Sequence, residues 1–547
     1  MKHLFGIIII WLFSGQWIHA QVAAPAYKYL VVFKDKLNTP YSTDNPLAYL
    51  SPKAIERRFL QGIKIQAKDF PPNPNYIQGL KTLGAKVIYQ SRWMNAALVE
   101  ATEIQKNQIL ALDYVSGIEF GKPLKQARLA KTKNKFDINT LDYGDALAQI
   151  RLLGADSMHV DGFHGEGKLV AVLDDGFLNA HTSTCLQNIF ATNRVVKVYD
   201  FVDNDANVYA QGGHGTSVLS TMAGYFDTEM IAPGYGVSVA LFRTEDGASE
   251  TKLEEANWLF AAEMADSLGA DIITSSLGYS TFDNATDNYT QADMNGKTTI
   301  VSRAADWAAN CGMVVVISAG NEGNDAWKII TAPADAVNVL AVGAVTRDGN
   351  YAYFSSTGNT SDGRIKPDVV AVGSGTALCN TSGQPSTESG TSFAAPLVAG
   401  LVAGFWQANP YLTAKEITYC LRKSGHIANN PTTQLGYGYA NYSRAKQVVQ
   451  NNLKVNAIQP DVYLIMASIL PSGDKTELMF KFNDALLQKQ IQLTFINQNT
   501  KQIIFQEQLQ LSTNTLVKTI SLNTILPDML LRIENLSDNE TLKIIRW

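Results

Sequence analysis

Between about residues 140 and 450 the chain repeats one pattern, a short apolar run followed by a longer stretch with helical spacing. The runs are Leu169 to Leu173, Val239 to Phe242, Ile272 to Ser275, Val314 to Ile317 and Val339 to Val342. They show no polar alternation, so as strands they can rest only in an interior covered on both faces. Segments such as Leu253 to Leu268 and Ile300 to Ala309 supply the covering helices. Strands joined through helical crossovers predict a doubly wound, mainly parallel α/β domain over residues 140–452. Sheets of this kind gather their functional groups at the carboxyl ends of the strands.

The flanks have a different texture. With 547 residues, there is length for about three domains, each with its own core. Residues 1–20 carry a basic start, the apolar run Leu4 to Phe13 and a small residue, Ala20, at the end; this is the layout of a cleaved secretory signal peptide. Residues 21–121 alternate strand and helix as a small α+β domain: strand at Tyr29 to Phe33, helix from Pro52 to Arg58, helix from Tyr76 to Leu83, two strands within Val87 to Ala101, helix from Glu103 to Leu112 and strand from Val115 to Phe120. Residues 122–139 form an expected linker, whose stretch from Lys122 to Lys135 carries Lys122, Lys125, Arg128, Lys131, Lys133 and Lys135 and no acidic residue. From 453 to 547 glycine nearly vanishes and alternation such as Ile491-Gln492-Leu493-Thr494-Phe495 predicts an all-β sandwich.

Composition removes several function classes. Lys and Arg total 45 against 50 Asp and Glu, a net charge of −5, which leaves no charge-based case for nucleic acid. No apolar span of membrane length follows the leader, so no integral membrane segment is expected. The four cysteines, Cys185, Cys311, Cys379 and Cys420, are too scattered for a metal clip. In an exported chain they allow one or two disulfides and equally allow buried thiols.

Four segments carry chemistry. The strand Leu169 to Leu173 ends at Asp174-Asp175-Gly176, which alone is an ordinary turn or a carboxylate aimed into a cleft. Gly212-Gly213-His214-Gly215-Thr216-Ser217 clears space on both sides of an imidazole, whereas His159, His164, His181 and His426 read as satisfied or surface histidines. Ser318-Ala319-Gly320-Asn321-Glu322-Gly323 ends a buried strand, and Asn321 is there either to make the turn or to offer an amide donor to a developing oxyanion. Gly390-Thr391-Ser392-Phe393-Ala394-Ala395-Pro396 opens an apolar helix at Ser392, an N-cap position whose small neighbours leave its hydroxyl accessible.

Taken jointly, Asp174, His214 and Ser392 stand 40 and 178 residues apart, in the chain order of subtilisin. Val-Ala-Val-Leu-Asp-Asp-Gly, His-Gly-Thr-Ser-Val, Ser-Ala-Gly-Asn-Glu-Gly and Gly-Thr-Ser-Phe-Ala-Ala-Pro together resemble the subtilisin-like serine peptidases of the S8 family, over roughly residues 140–450. The resemblance implies Ser392 as nucleophile, His214 as its general base and acid, Asp174 as the group that orients the imidazole, and Asn321 as an oxyanion donor. It further implies that Ser276, Leu277 and Gly278 pair with an extended polypeptide and that Ser318, Ala319 and Gly320 face them across the primary specificity pocket, with Thr331 a candidate for its floor. Two positions depart from the family pattern: Val372 stands where a proline is usual, and Asp175 replaces the usual Thr or Ser, adding a charge beside the triad.

The same resemblance gives the flanks an expected purpose, that of a Bacteroidetes-type secreted preproprotein. Residues 21–121 would be the propeptide, an intramolecular inhibitor, and 122–139 the maturation region. The C-terminal domain resembles sorting domains that engage type IX secretion machinery, or is a sandwich that binds or stabilises. The expected location is extracellular or at the cell surface. No cofactor or metal is required by this chemistry; structural calcium is common in the family, though no contiguous ligand loop is readable here. Two other readings compete: a catalytically silent scaffold of the same fold, and a metal-dependent hydrolase built on Asp174, Asp175 and His214, which leaves Ser392 unexplained.

Overall fold

The computed structural model describes residues 26–123 and 141–452, except 62 and 411, and seven strands with short turns between 464 and 546. The expected leader, 1–20, and residues 124–139 of the expected linker lie outside the described residues.

The apolar runs form a seven-stranded sheet in the order Val369–Val372, Leu340–Val345, Val314–Ser318, Ile272–Ser275, Leu169–Asp174, Ser238–Arg243 and Val195–Asp200. Every ladder in it is parallel. Successive side chains on a strand point to opposite faces, and the two cores follow from that. Val170, Val172, Val239, Leu241, Val314 and Val316 face the helices His214–Ala223 and Thr391–Ala408. Leu169, Ala171, Leu173, Ala240, Phe242 and Ile317 face Lys252–Leu268 and Ile300–Asn310. The fold class read from the periodicity is the one observed.

Helix Thr391–Ala408 is long and apolar enough to cross a membrane, yet nearly all of it is buried beneath the sheet. Gly400 lets it approach closely: a Cβ there would meet the Met222 carbonyl at 3.0 Å and Gly234 N at 2.8 Å. One disulfide, Cys185–Cys379, ties the loop after the Asp174 strand to the short strand Thr376–Cys379, while Cys311 and Cys420 are free and buried.

The N-terminal unit is a four-stranded antiparallel sheet in the order Lys86–Ser91, Ala96–Thr102, Ala26–Phe33 and Val115–Pro123. Its last strand runs into the expected linker, since Lys122 pairs with Lys28 and Pro123 with Tyr27; a charge run in sequence does not reveal that the first strand begins early enough to pair with it. Two sheets in the C-terminal region share a core of Phe480, Phe482, Ile491, Leu493, Phe495, Ile520, Leu531 and Ile533, as a sandwich requires.

The N-terminal unit docks on helix Lys252–Leu268. Leu30, Trp93, Met94 and Leu98 enter the second core. Beside them Asp266, with no solvent exposure, accepts from Arg58 Nη1 at 2.9 Å, Arg58 Nη2 at 2.8 Å and Arg92 Nη2 at 3.0 Å, and also from Arg57. Glu263 accepts from Ser91 Oγ at 2.6 Å and from the backbone N–H of Arg92 at 2.8 Å. Burial alone would raise the Asp266 pKa, but the charges of Arg57, Arg58 and Arg92 hold it well below the usual carboxylate range. Removing one partner from a buried ion network leaves uncompensated charge behind. Asp266→Ala is therefore expected to destabilise the full chain by about 3–5 kcal/mol, measured as a lower urea midpoint; a midpoint equal to that of the parent would show that the arginines find other partners.

Candidate active site

Three adjacent parallel strands deliver the candidate residues to one edge. Asp174 is the last residue of its strand, Ser276 follows Ile272–Ser275 directly, and Asn321 lies just past Val314–Ser318. The doubly buried strands are apolar over most of their length, and these three groups follow at their carboxyl ends.

His214 opens helix His214–Ala223, and its Nδ1 lies 2.7 Å from Asp174 Oδ1. A carboxylate offers only acceptors, so Nδ1 carries the proton and the neutral ring presents a bare Nε2. The two segments interlock through glycines. Gly212 has φ +64°, a conformation that favours glycine, and a Cβ there would lie 2.1 Å from the Asp175 carbonyl; a Cβ on Gly215 would lie 2.3 Å from the Gly176 carbonyl and 2.8 Å from Asp174 Cβ. Asp175 joins the lock, since its Oδ1 accepts from the Gly215 N–H at 3.1 Å while its own N–H donates to Asp174 Oδ1 at 2.9 Å. Burial opposes the charged imidazole, but the charge and hydrogen bond of Asp174, with Asp175 and Glu388 beyond, push the His214 pKa up to about 9. Burial, then Asp174, pushes the Asp175 carboxyl up to about 6.

Ser392, half-buried, stands in the first turn of helix Thr391–Ala408, beside Phe393, whose ring centroid is 5.6 Å from that of His214. Its Oγ donates to the Ser276 carbonyl at 3.4 Å, and no hydrogen bond joins it to His214 among the described residues. Such contacts are commonly loose before substrate arrives and tighten in the complex. Pro396 has no N–H to give the carbonyl four residues back, that of Ser392. The Ser276 hydroxyl donates there instead, at 2.7 Å. Ser276 was read from sequence as a substrate-binding residue; its side chain holds the start of the serine's helix.

Asn321 is exposed, and its Oδ1 accepts from the Thr391 N–H at 2.9 Å and from Thr391 Oγ1 at 3.1 Å. The backbone N–H is donor only, so it fixes which end of the amide is oxygen and leaves the Nδ2 donors pointing elsewhere. The N-cap residue, Gly390, has no side chain to offer, and Asn321 takes only the Thr391 N–H, so the Ser392 N–H is one of the first-turn donors without an intrahelical acceptor. Sequence reading missed Thr391, although its place directly before Ser392 was the available signal.

The remaining predicted residues lie at or just past the ends of two of these strands. Leu277 is partly exposed and Gly278 exposed, and their backbone makes no hydrogen bond among the described residues. Opposite lie Ser318, Ala319 and Gly320; Ala319 O accepts from Thr331 N at 3.2 Å. The buried Thr331 Oγ1 has no partner and sits between the two walls, 2.3 Å from a Cβ placed on Gly278 and 3.1 Å from one on Gly320.

Among the described residues, two groups could offer three ligand atoms to a cation, Asp174 with Asp175 and His214, and Glu245 with Glu250 and Glu254. In the first, Asp174 Oδ1 and His214 Nδ1 are bonded to each other. In the second, Glu254 accepts from the N–H groups of Thr251 and Asp246, and Glu245 from Tyr279 and Thr244. Both sets are thus engaged in bonds the fold itself uses.

The chain is similar to known proteins over both its N-terminal unit and its large α/β domain. The model of the subtilase family matches residues 165–440, and that of the Bacteroidota peptidase S8 propeptide domain matches residues 28–136. Subtilisin DY of Bacillus licheniformis is 29% identical over 279 residues, 51% of this chain and 89% of that protein. Subtilisin E of Bacillus subtilis is 25% identical over 397 residues, 72% of this chain and 91% of the other. A thermophilic serine proteinase of Bacillus sp. is 33% identical over 241 residues, 43% and 51% respectively. Among solved structures, MycP1 from Mycobacterium smegmatis superposes with a TM-score of 0.44 at 22% identity, covering 59% of this chain and 89% of that one.

Because the glycine interlock leaves no space for a methyl group, Gly215→Ala is expected to lower stability by about 1–3 kcal/mol, read as a shift of the urea midpoint; an unshifted midpoint would mean the two segments part without cost.

Proposed function

Because this chain belongs to the subtilase family of serine peptidases, we propose that Ser392, His214 and Asp174 are its triad and that it hydrolyses peptide bonds of proteins through an acyl-enzyme. The observation that carries this reading is the 2.7 Å bond between Asp174 and His214 beside the start of the Ser392 helix. A serine hydroxyl is a weak nucleophile at neutral pH and needs a base. Neutral His214, its Nδ1 proton held by Asp174, takes the Ser392 proton at Nε2 as Oγ attacks the scissile carbonyl. The imidazolium so formed faces the Asp174 carboxylate and then protonates the leaving amine; water repeats the sequence to release the acid.

Charge developing on the carbonyl oxygen is met by two donors, Asn321 Nδ2 and the Ser392 N–H. The unpaired backbone at Leu277 and Gly278 suits strand addition by an extended substrate. The N-terminal unit acts as the propeptide, consistent with its family match and its seat on helix Lys252–Leu268. Secretion through the leader and sorting through the C-terminal sandwich complete the reading.

Labelling of the full-length secreted protein with a fluorophosphonate tests it. Label on a band shortened by the N-terminal unit, absent in Ser392→Ala and in His214→Ala, is the expected result. Equal labelling of Ser392→Ala would overturn the assignment, and an unlabelled band of the shortened mass would favour the silent scaffold. Asn321→Ala is expected to lower kcat by roughly 10²–10³ with little change in KM, the loss seen for this type of donor in this family; an unchanged kcat would return Asn321 to a turn-forming role.

A further inference from the structure

Asp175 stands where the subtilisin-like pattern has an uncharged residue, and the catalytic scheme above does not use it. Its carboxylate is half-buried, lies on the chain between the Asp174 strand and the turn that interlocks with Gly212, and caps the helix that His214 opens by accepting the Gly215 N–H at 3.1 Å. Oxygen atoms of Asp174 and Asp175 and a ring nitrogen of His214 all fall within 4.8 Å of one another. The nearby cation does not neutralise it. Arg243 donates from Nε to the Asp175 carbonyl at 3.0 Å, but its remaining donors go to Asp200 Oδ2 at 2.8 Å, Asp203 Oδ2 at 2.9 Å and Gln211 Oε1 at 3.2 Å. The other charged groups that act on His214 are Asp174 from its strand and Glu388 from the strand Pro385–Glu388.

We propose that Asp175 is a positioning residue for His214, fixing the start of its helix and placing a second negative charge beside the imidazole, so that it sets the pH range over which His214 serves as base. The inference rests on the triad reading. A negative charge favours the imidazolium, and only the neutral ring can take the serine's proton. With Asp175 charged, the acid limb of activity therefore lies at higher pH than Asp174 alone would place it. Removing the charge must move that limb to lower pH.

The rate constant for fluorophosphonate labelling of Ser392, measured against pH on the processed protein, reports the base without requiring a known substrate. The parent is run first beside Ser392→Ala; label that does not depend on Ser392 overturns the triad reading and this inference with it. With Ser392-dependent label established, Asp175→Asn, which keeps an oxygen for the Gly215 N–H, is expected to move the midpoint of the acid limb down by about 0.5–1 pH unit. Asp175→Ser, smaller and also neutral, moves it in the same direction. A midpoint that stays in place, or rises, while Ser392-dependent labelling persists overturns the role of Asp175 alone. The parent gives an independent reading should neither variant fold: the proton on His214 Nδ1, followed by NMR, is expected to show a smaller second inflection near pH 6 from Asp175, and a single inflection overturns the proposal.

Discussion

A sheet buried on both faces makes a charged or unpaired polar side chain in mid-strand costly, and parallel pairing brings all its strands to an end on the same side. The remainder of the molecule follows from these two facts. Val314 to Ile317 and Leu169 to Leu173 are wholly apolar because both faces are covered, and Asp174, Ser276 and Asn321 come together at one edge where these strands end. The helices carrying His214 and Ser392 share a single face of that sheet, so the imidazole and hydroxyl reach the same edge from below.

At the edge, Asp174 Oδ2 and Thr331 Oγ1 are buried and find no hydrogen-bond partner among the described residues. On the opposite face the balance differs, since Glu263 and Asp266 are fully engaged, but by a unit that contributes nothing to the edge itself.

Periodicity and motif made the sheet, the Asp174 strand, the His214 turn and the Ser392 helix legible, because each is a local pattern whose meaning survives without coordinates. Other features were hidden by distance along the chain. Glu263 and Asp266 look like ordinary surface charges on an amphipathic helix; only the arrival of Arg57, Arg58 and Arg92, some two hundred residues earlier in the chain, makes them interior groups. The pairing of Cys185 with Cys379 was one of several connectivities the spacing allowed. Thr391 escaped notice because its work is to orient another residue's amide, a role that leaves no signature of its own in composition or period.

Pro396 has a wider consequence. By withholding an N–H from the Ser392 carbonyl, it makes the first turn of that helix depend on a hydroxyl from a separate segment, just past the strand Ile272–Ser275. The segment Gly390 to Pro396 is therefore not a portable unit. Transplanted into another scaffold without a serine in register on the neighbouring strand, it would arrive with an unmet carbonyl at the residue whose placement matters most, and the helix would shift to seek water. What looks in the sequence like one contiguous motif is, in three dimensions, a joint between two segments more than a hundred residues apart.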